Sequence, residues 1–163
     1  MEVPPEVLKI AEDIREMRIR GAGRIARAVA RALALAAEKY SKGSVKDFKE
    51  YMKGVSEVLG STRPTAVSLF NAMAYVLRAL NLETDDVNEL KGNVVKFANE
   101  FISYSEKAVK EIGRIGSRVI EHGDIVLTHC NSSAVISIFS EAWRSGKDIK
   151  VIATETRPRY QGY

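Results

Sequence analysis

The sequence predicts an α + α/β fold, in which an amino-terminal helical domain is followed by the first βαβ unit of a parallel-sheet domain. Two observations support this prediction. From Pro5 to about Ile120, apolar residues recur at the spacing of one helix face. From Asp124 onward, the pattern changes to short apolar runs on either side of a single amphipathic helix. The predicted domains are residues 1–122 and 123–163.

Five helices are predicted in the first domain, and most have a recognisable start or stop signal. The predicted helices span residues 5–17, 24–40, 44–59, 64–82 and 84–122. Pro5 and Pro64 are expected in first helical turns, where proline is tolerated. Ser44 is a good amino-terminal cap for the third helix, and Gly123 is a normal stop for the fifth.

The second domain is predicted to contain a strand at 125–127, a helix at 133–144 and a strand at 149–153. Such a unit is expected to be parallel and right-handed, and it would open a Rossmann-like sheet. Two strands alone do not form a stable open sheet. The sequence therefore predicts that this domain is incomplete, with the chain truncated at Tyr163.

Composition excludes several classes of protein. Basic and acidic residues number 25 and 21, and their interspersion indicates an ion-paired surface without a nucleic-acid-binding patch. The chain has one cysteine, which permits no internal disulfide, and its Lys, Arg and Glu content suits a thermophile. There is no signal-peptide pattern and no apolar run of the ~20 residues that a membrane helix needs. These observations predict a cytoplasmic protein.

Two predicted helix starts carry an arginine. The first is Arg20-Gly21-Ala22-Gly23, where a guanidinium and free helical N–H groups suit a phosphate. The second is Ser61-Thr62-Arg63-Pro64-Thr65. Taken singly, the first motif is more often a helix–helix turn with a surface arginine. The second is more often a set of hydroxyls that cap a helix and leave the arginine solvated.

The lone cysteine lies in a polar turn, Thr128-His129-Cys130-Asn131-Ser132-Ser133, between the first predicted strand and the next helix. Ligands of open α/β sheets bind at the carboxyl ends of strands, and the positive end of a helix favours a thiolate. Cys130 is thus a candidate for proton transfer, although a small buried packing residue fits equally well. His129 alternates with it and is interpreted as structural. The scattered histidines and cysteine lack metal-ligand spacing, so no metal is expected.

A fourth polar motif, Thr154-Glu155-Thr156-Arg157-Pro158-Arg159-Tyr160-Gln161-Gly162, follows the second predicted strand. It is expected at the same rim of the sheet as Cys130. A charged, solvent-exposed loop is the commoner explanation for such a segment.

Together and in order, the four motifs resemble those of the archaeal ribose-1,5-bisphosphate isomerases. That family shares a superfamily with methylthioribose-1-phosphate isomerases and the alpha, beta and delta regulatory subunits of translation initiation factor 2B. The resemblance covers essentially the whole chain. The Cys130-Asn-Ser-Ser form, beside Arg20-Gly-Ala-Gly, favours the archaeal isomerase branch.

The resemblance implies an activity: isomerisation of ribose 1,5-bisphosphate to ribulose 1,5-bisphosphate in AMP recycling, without a cofactor. Cys130 matches the family's catalytic cysteine, which exchanges a proton between C1 and C2 of the sugar. The implied contacts with the sugar phosphate are Arg20, Gly21, Ala22, Gly23, Arg63, Ser132 and Ser133.

The family's second acid–base group is an aspartate well past Tyr163, so the chain is expected to be inactive or weakly active. The alternative is a regulatory binding protein without catalysis, similar to the factor 2B subunits. The family assembles into dimers and hexamers through its α/β half. Exposed βαβ edges also favour pairing, and a homo-oligomer is therefore expected.

Overall fold

A computed structural model describes residues 2–41, 43–157 and 160 of the chain. It divides into two compact units, residues 1–104 and 105–163, and each is described by itself below. The described residues form a helix-rich fold with a small two-stranded parallel sheet. None of the described helices is long and apolar enough to cross a membrane.

The elements follow the predicted order. The α-helices are α1 (Pro5–Arg15), α2 (Ala22–Lys39), α3 (Val45–Gly60), α4 (Val67–Leu77), α5 (Val87–Gly116) and α6 (Ser133–Arg144). Short 3₁₀ turns follow α4 at Arg78–Asn81 and α5 at Ser117–Val119. The strands are β1 (Ile125–His129) and β2 (Lys150–Thr154).

Helix α2 is the centre of the first unit, and α1, α3 and α4 pack around it. Alanine is the best helix former, and its small side chain lets neighbouring helices approach closely. Nine residues of α2 are buried: Ile25, Ala26, Val29, Ala30, Ala32, Leu33, Ala34, Ala36 and Ala37. They belong to one continuous apolar core that also includes Phe48, Met52 and Leu69.

The start of α3 confirms the predicted cap. The Ser44 hydroxyl accepts the backbone N–H of Asp47 at 3.3 Å, and the Asp47 carboxylate accepts the backbone N–H of Ser44 at 2.9 Å. This reciprocal capping box satisfies two N–H groups that the helix itself leaves unpaired.

The second unit contains the end of α5, both strands and α6. Strands β1 and β2 are parallel, with register from Ile125↔Lys150 to His129↔Thr154, as predicted. The sheet is poorly covered: Ile125 is 65% exposed and Leu127 is 70% exposed. The polar turns after both strands lie at one edge of the sheet because the strands are parallel.

Several predicted helix boundaries are wrong; the fifth helix, for example, begins at Val87 and not at residue 84. The fourth helix begins at Val67, not at Pro64, and Pro64 lies in a turn closed by a hydrogen bond from the Ala66 N–H to the Arg63 carbonyl at 3.0 Å. The fifth helix ends at Gly116 instead of near Gly123. A 3₁₀ turn at Ser117–Val119 follows the helix directly. Gly123 therefore does not end this helix but lies in a later turn, at a φ of 90°. Apolar residues keep their helical spacing through the 3₁₀ turn, so the sequence does not reveal that the α-helix ends at Gly116.

The predicted domain boundary between residues 122 and 123 stays a prediction. The two compact units meet inside α5, between Tyr104 and Ser105. The predicted boundary lies farther along the chain, just before the first strand.

Candidate functional site

The arginine–glycine motif forms the entry to α2. Gly21 is the cap residue, at a φ of 89° that favours glycine, and Ala22 is the first helical residue. Within the part of the chain that the structure describes, no side chain caps this helix, and its first turn contains no acidic residue. Arg20 and Arg24 are exposed beside it. The outward N–H groups and these cations make this helix start favourable for an anion.

The second arginine motif is a tight connection between α3 and α4. The hydroxyls of Ser61 and Thr62 donate to the Val58 and Leu59 carbonyls at 2.8 and 2.6 Å. They therefore satisfy the end of α3 and do not cap the start of the following helix. Arg63 comes next and is partly buried. The residue before a proline avoids helical conformation, which explains why α3 stops before Arg63.

The turn that holds Cys130 links β1 to α6. Cys130 is partly buried and has a φ of 61°, a left-handed conformation that is rare for residues other than glycine. Ser132 caps α6: its hydroxyl accepts the Val135 N–H at 3.5 Å. Ser133 is the first residue of the helix and is exposed. The thiol is thus held between a strand's carboxyl end and a helix start.

His129 is the last residue of β1 and pairs with Thr154 of β2. Its Nδ1 lies 2.6 Å from the Thr154 hydroxyl. This bond ties the carboxyl ends of the two strands together and supports the structural interpretation of His129. The sequence did not identify Thr154 as its partner, because the pairing depends on strand register.

The rim after β2 is only partly described, since Pro158, Arg159, Gln161 and Gly162 lie outside the described residues. Arg157 donates to the Glu155 carboxylate at 2.8 Å. The Thr156 hydroxyl oxygen is buried and has no hydrogen-bond partner among the described residues. Sequence reasoning did not single out Thr156, since only burial distinguishes it from its neighbours.

The predicted site residues fall into two groups. Arg20, Gly21, Ala22, Gly23 and Arg63 belong to the first unit. Cys130, Ser132 and Ser133 lie together in the turn and first residue of α6 in the second. Among the described residues, no cluster of ligand side chains is able to hold a metal ion.

A cavity of about 640 Å³ lies elsewhere on the first unit. It opens near the end of α2 and the start of α3, and Lys39, Tyr40, Asp47 and Tyr51 are among the residues that line it. No predicted site residue lines this cavity. The pKa of Tyr51 is raised by burial, which makes the neutral phenol more stable there.

The chain is similar in sequence to a known protein family over most of its length. Residues 18–163 match the family model described as the Initiation factor 2 subunit family. Ribose 1,5-bisphosphate isomerase from Thermococcus kodakarensis is 50% identical over 99% of this chain and 51% of its own length. The protein of the same name from Methanocaldococcus jannaschii is 51% identical over 93% of this chain and 48% of its own.

A solved structure gives the same result for the fold. The delta subunit of translation initiation factor eIF-2B from A. fulgidus is 34% identical, with a TM-score of 0.77. The similarity covers 96% of this chain and 48% of the solved chain. This chain therefore spans about half the length of the curated relatives and solved structure it matches. The resemblance seen in the four motifs is confirmed: the chain belongs to the Initiation factor 2 subunit family.

Proposed function

We propose that this chain provides the phosphate-binding region and the catalytic cysteine of a ribose-1,5-bisphosphate isomerase. The observation that carries the proposal is the Cys130 turn, which holds a thiol between the carboxyl end of β1 and the capped start of α6. The 50% identity to the Thermococcus enzyme supports the same reaction. The substrate would be ribose 1,5-bisphosphate and the product ribulose 1,5-bisphosphate.

The phosphates would be bound at helix starts. Arg20, Gly21, Ala22 and Gly23 surround the uncapped start of α2, where N–H groups point outward. Arg63 adds a planar guanidinium that suits a phosphate. Ser132 and Ser133 provide hydroxyls and backbone N–H groups at the start of α6, beside the thiol. Each of these contacts is part of the proposal.

The reaction is an isomerisation, so atoms and electrons balance within the substrate. The sugar ring opens when a proton is transferred to the ring oxygen. Cys130 then takes the proton from C2, which gives an enol-type intermediate, and returns it to C1, so that the carbonyl of the product lies at C2. A second acid–base group moves the proton between the oxygens. We assign that second role to no described residue, since the nearest carboxylate in sequence on this rim, Glu155, is hydrogen-bonded to Arg157.

The proposal also includes the type of sheet that the two strands belong to. The parallel βαβ unit would be the first unit of a Rossmann-like sheet, with ligands at its carboxyl edge. Both strands expose apolar side chains, Leu127 by 70% and Ile152 by 54%. Such a surface favours association with another copy of the protein, and we propose a homo-oligomer on this ground. We also propose that the protein acts in the cytoplasm.

A second function is favoured by one observation: the similar A. fulgidus structure carries the name of a translation initiation factor subunit. In that case the chain would bind a protein partner and catalyse nothing. The presence of Arg20, Arg63 and Cys130 together argues for the isomerase, because a purely structural role does not require this set.

The test is NMR spectroscopy of ribose 1,5-bisphosphate in deuterated water with the wild-type chain, Cys130→Ser, Arg20→Ala and Arg63→Ala. We expect deuterium incorporation at C2 or ribulose 1,5-bisphosphate formation that requires Cys130. Because general acid–base catalysis contributes ~10²–10⁴-fold, Cys130→Ser should lower that rate at least a hundredfold. Loss of substrate line-broadening is expected in both arginine variants.

The outcomes separate the two functions. Substrate binding that persists unchanged in both arginine variants contradicts the proposed phosphate site. Neither exchange nor product with the wild-type chain, together with no substrate binding, favours the regulatory alternative. Arg31→Ala is the matched control in the same helix, since Arg31 is exposed more than two turns beyond the helix start.

A further inference from the structure

We propose that Gly113 and Gly116 are positioning residues for Cys130. They lie in the last turns of α5 and let α6 pack against that helix at a distance that no larger residue permits. The inference rests on the proposed function for its catalytic meaning, but its structural part is independent of any reaction.

Gly113 is the closer contact. A Cβ atom at Gly113 would lie 2.3 Å from the Ser137 Oγ and 2.9 Å from the Ser137 carbonyl oxygen. The hydroxyl can rotate away, but the carbonyl is backbone of α6 and moves only if the helix moves. Gly113 is also buried, so the added methyl group has no solvent-filled space to enter.

Gly116 forms the second contact one turn later. Its Cβ would lie 2.7 Å from the Cδ1 and Cγ1 atoms of Ile138. These atoms belong to a side chain that can change rotamer, so alanine at this position should displace α6 less than alanine at Gly113. Alanine at the two glycines is thus expected to displace α6 by different amounts, more at Gly113 than at Gly116.

Lys147 holds the other end of α6. Its ammonium group donates to the carbonyl oxygens of Ser117 and Ile120 at 2.7 and 2.6 Å, just after α5 ends. Helix α6 therefore lies close to α5 at Ser137 and is held just beyond its end by Lys147. A methyl group at Gly113 should move the free amino-terminal half of α6 more than the anchored end.

This movement would reach the thiol because the connection is short. Cys130 lies three residues before the first residue of α6, in a left-handed conformation that its surroundings must impose. Ser132 couples the turn to the helix through the Val135 N–H. Displacing the helix start shifts the turn that holds the thiol, and a misplacement of about 1 Å can cost ~10²-fold in rate.

The experiment measures the rate at which iodoacetamide alkylates Cys130 in the wild-type chain and in Gly113→Ala, Gly116→Ala and Gly92→Ala. All rates are measured at a temperature well below the Tm of each variant. Cys130 is the only cysteine, so the rate reports on one thiol. Gly92 lies in the same helix, and no atom lies within 4 Å of its added Cβ, so it is the matched control. We expect the alkylation rate to change roughly threefold or more in Gly113→Ala, less in Gly116→Ala, and not in Gly92→Ala, because reactivity depends on the thiol's surroundings and access.

Several results decide the question. An unchanged alkylation rate in a folded Gly113→Ala overturns the inference, even if its stability has fallen, because a merely structural role predicts that result. If Gly113→Ala does not fold, Gly116→Ala decides in the same way. A wild-type chain that neither binds the substrate nor exchanges its proton overturns the proposed function and leaves this alkylation test valid. Where activity is present, Gly113→Ala should lower kcat with little change in KM.

Discussion

The two units of this protein differ in how much of their structure is enclosed. In the first, α2 is surrounded by helices, and residues such as Leu33, Val29 and Phe48 are fully buried. In the second, Ala142 is fully buried, but both strands expose apolar side chains. The first unit has a large buried core of its own, whereas the second combines a largely exposed sheet with close contacts between α5 and α6. The candidate cysteine belongs to the less enclosed unit.

The largest expected effect comes from a matched pair of leucines. Leu33→Ala removes a fully buried side chain from α2 and should lower the free energy of unfolding by about 2–5 kcal/mol. Leu127→Ala removes a side chain that is 70% exposed and should change it by less than about 0.5 kcal/mol. Urea unfolding followed by circular dichroism measures both. Equal losses would contradict the comparison between the units.

An intermediate effect is expected at the contact between α5 and α6. Lys147→Met keeps an apolar stem but removes the ammonium group that donates to the Ser117 and Ile120 carbonyls. Leaving these acceptors without their partner should cost about 1–3 kcal/mol. Hydrogen exchange of the α6 amides should accelerate, while exchange in α2 stays slow. Lys150→Met is the control, since Lys150 lies on an exposed strand position. Equal acceleration in α2 would show that the units do not open separately.

The smallest effect concerns the α3 cap and its pH dependence. Hydrogen bonds from the Ser44 N–H and hydroxyl hold the pKa of Asp47 below its ordinary value. A depressed folded-state pKa adds stability above the unfolded-state pKa, and this stability is lost as the pH falls through the folded-state pKa. Asp47→Asn should therefore have a lower Tm at neutral pH, and the difference should shrink in acid. A difference that is constant with pH would contradict this linkage. Ser44→Ala removes the hydroxyl of the cap, which is typically worth about 1 kcal/mol.

Local signals in the sequence were sufficient for much of the fold. Helix α6 spans Ser133–Arg144 as predicted, since its apolar spacing, its cap and Gly146 are all close in sequence. The capping box at Ser44 and the parallel pairing of the strands were also predicted correctly. The start of α4 was not, because Pro64 is compatible with both a first helical turn and the preceding turn. The hydrogen bond from the Ala66 N–H to the Arg63 carbonyl and those of Ser61 and Thr62 to α3 distinguish the two.

For the candidate site too, the sequence revealed some features and the structure alone revealed others. The four motifs identified the family, which the similarity of residues 18–163 to its model confirms. The roles of Arg20, Arg63 and Cys130 remain proposals. The His129–Thr154 bond and the buried Thr156 hydroxyl had no signal in the sequence, because each depends on strand register or burial.

By itself, the sequence determined the order of helices and strands, the turn at Gly21, the cap of α3, and membership of the family. These features depend on residues that are neighbours in the chain, so spacing and residue type are enough to reveal them. Only the tertiary structure decided that Gly113 faces Ser137, that Lys147 donates to carbonyls just after α5, and that the sheet remains largely exposed. Those features join residues far apart in the chain, and packing alone decides which of them meet.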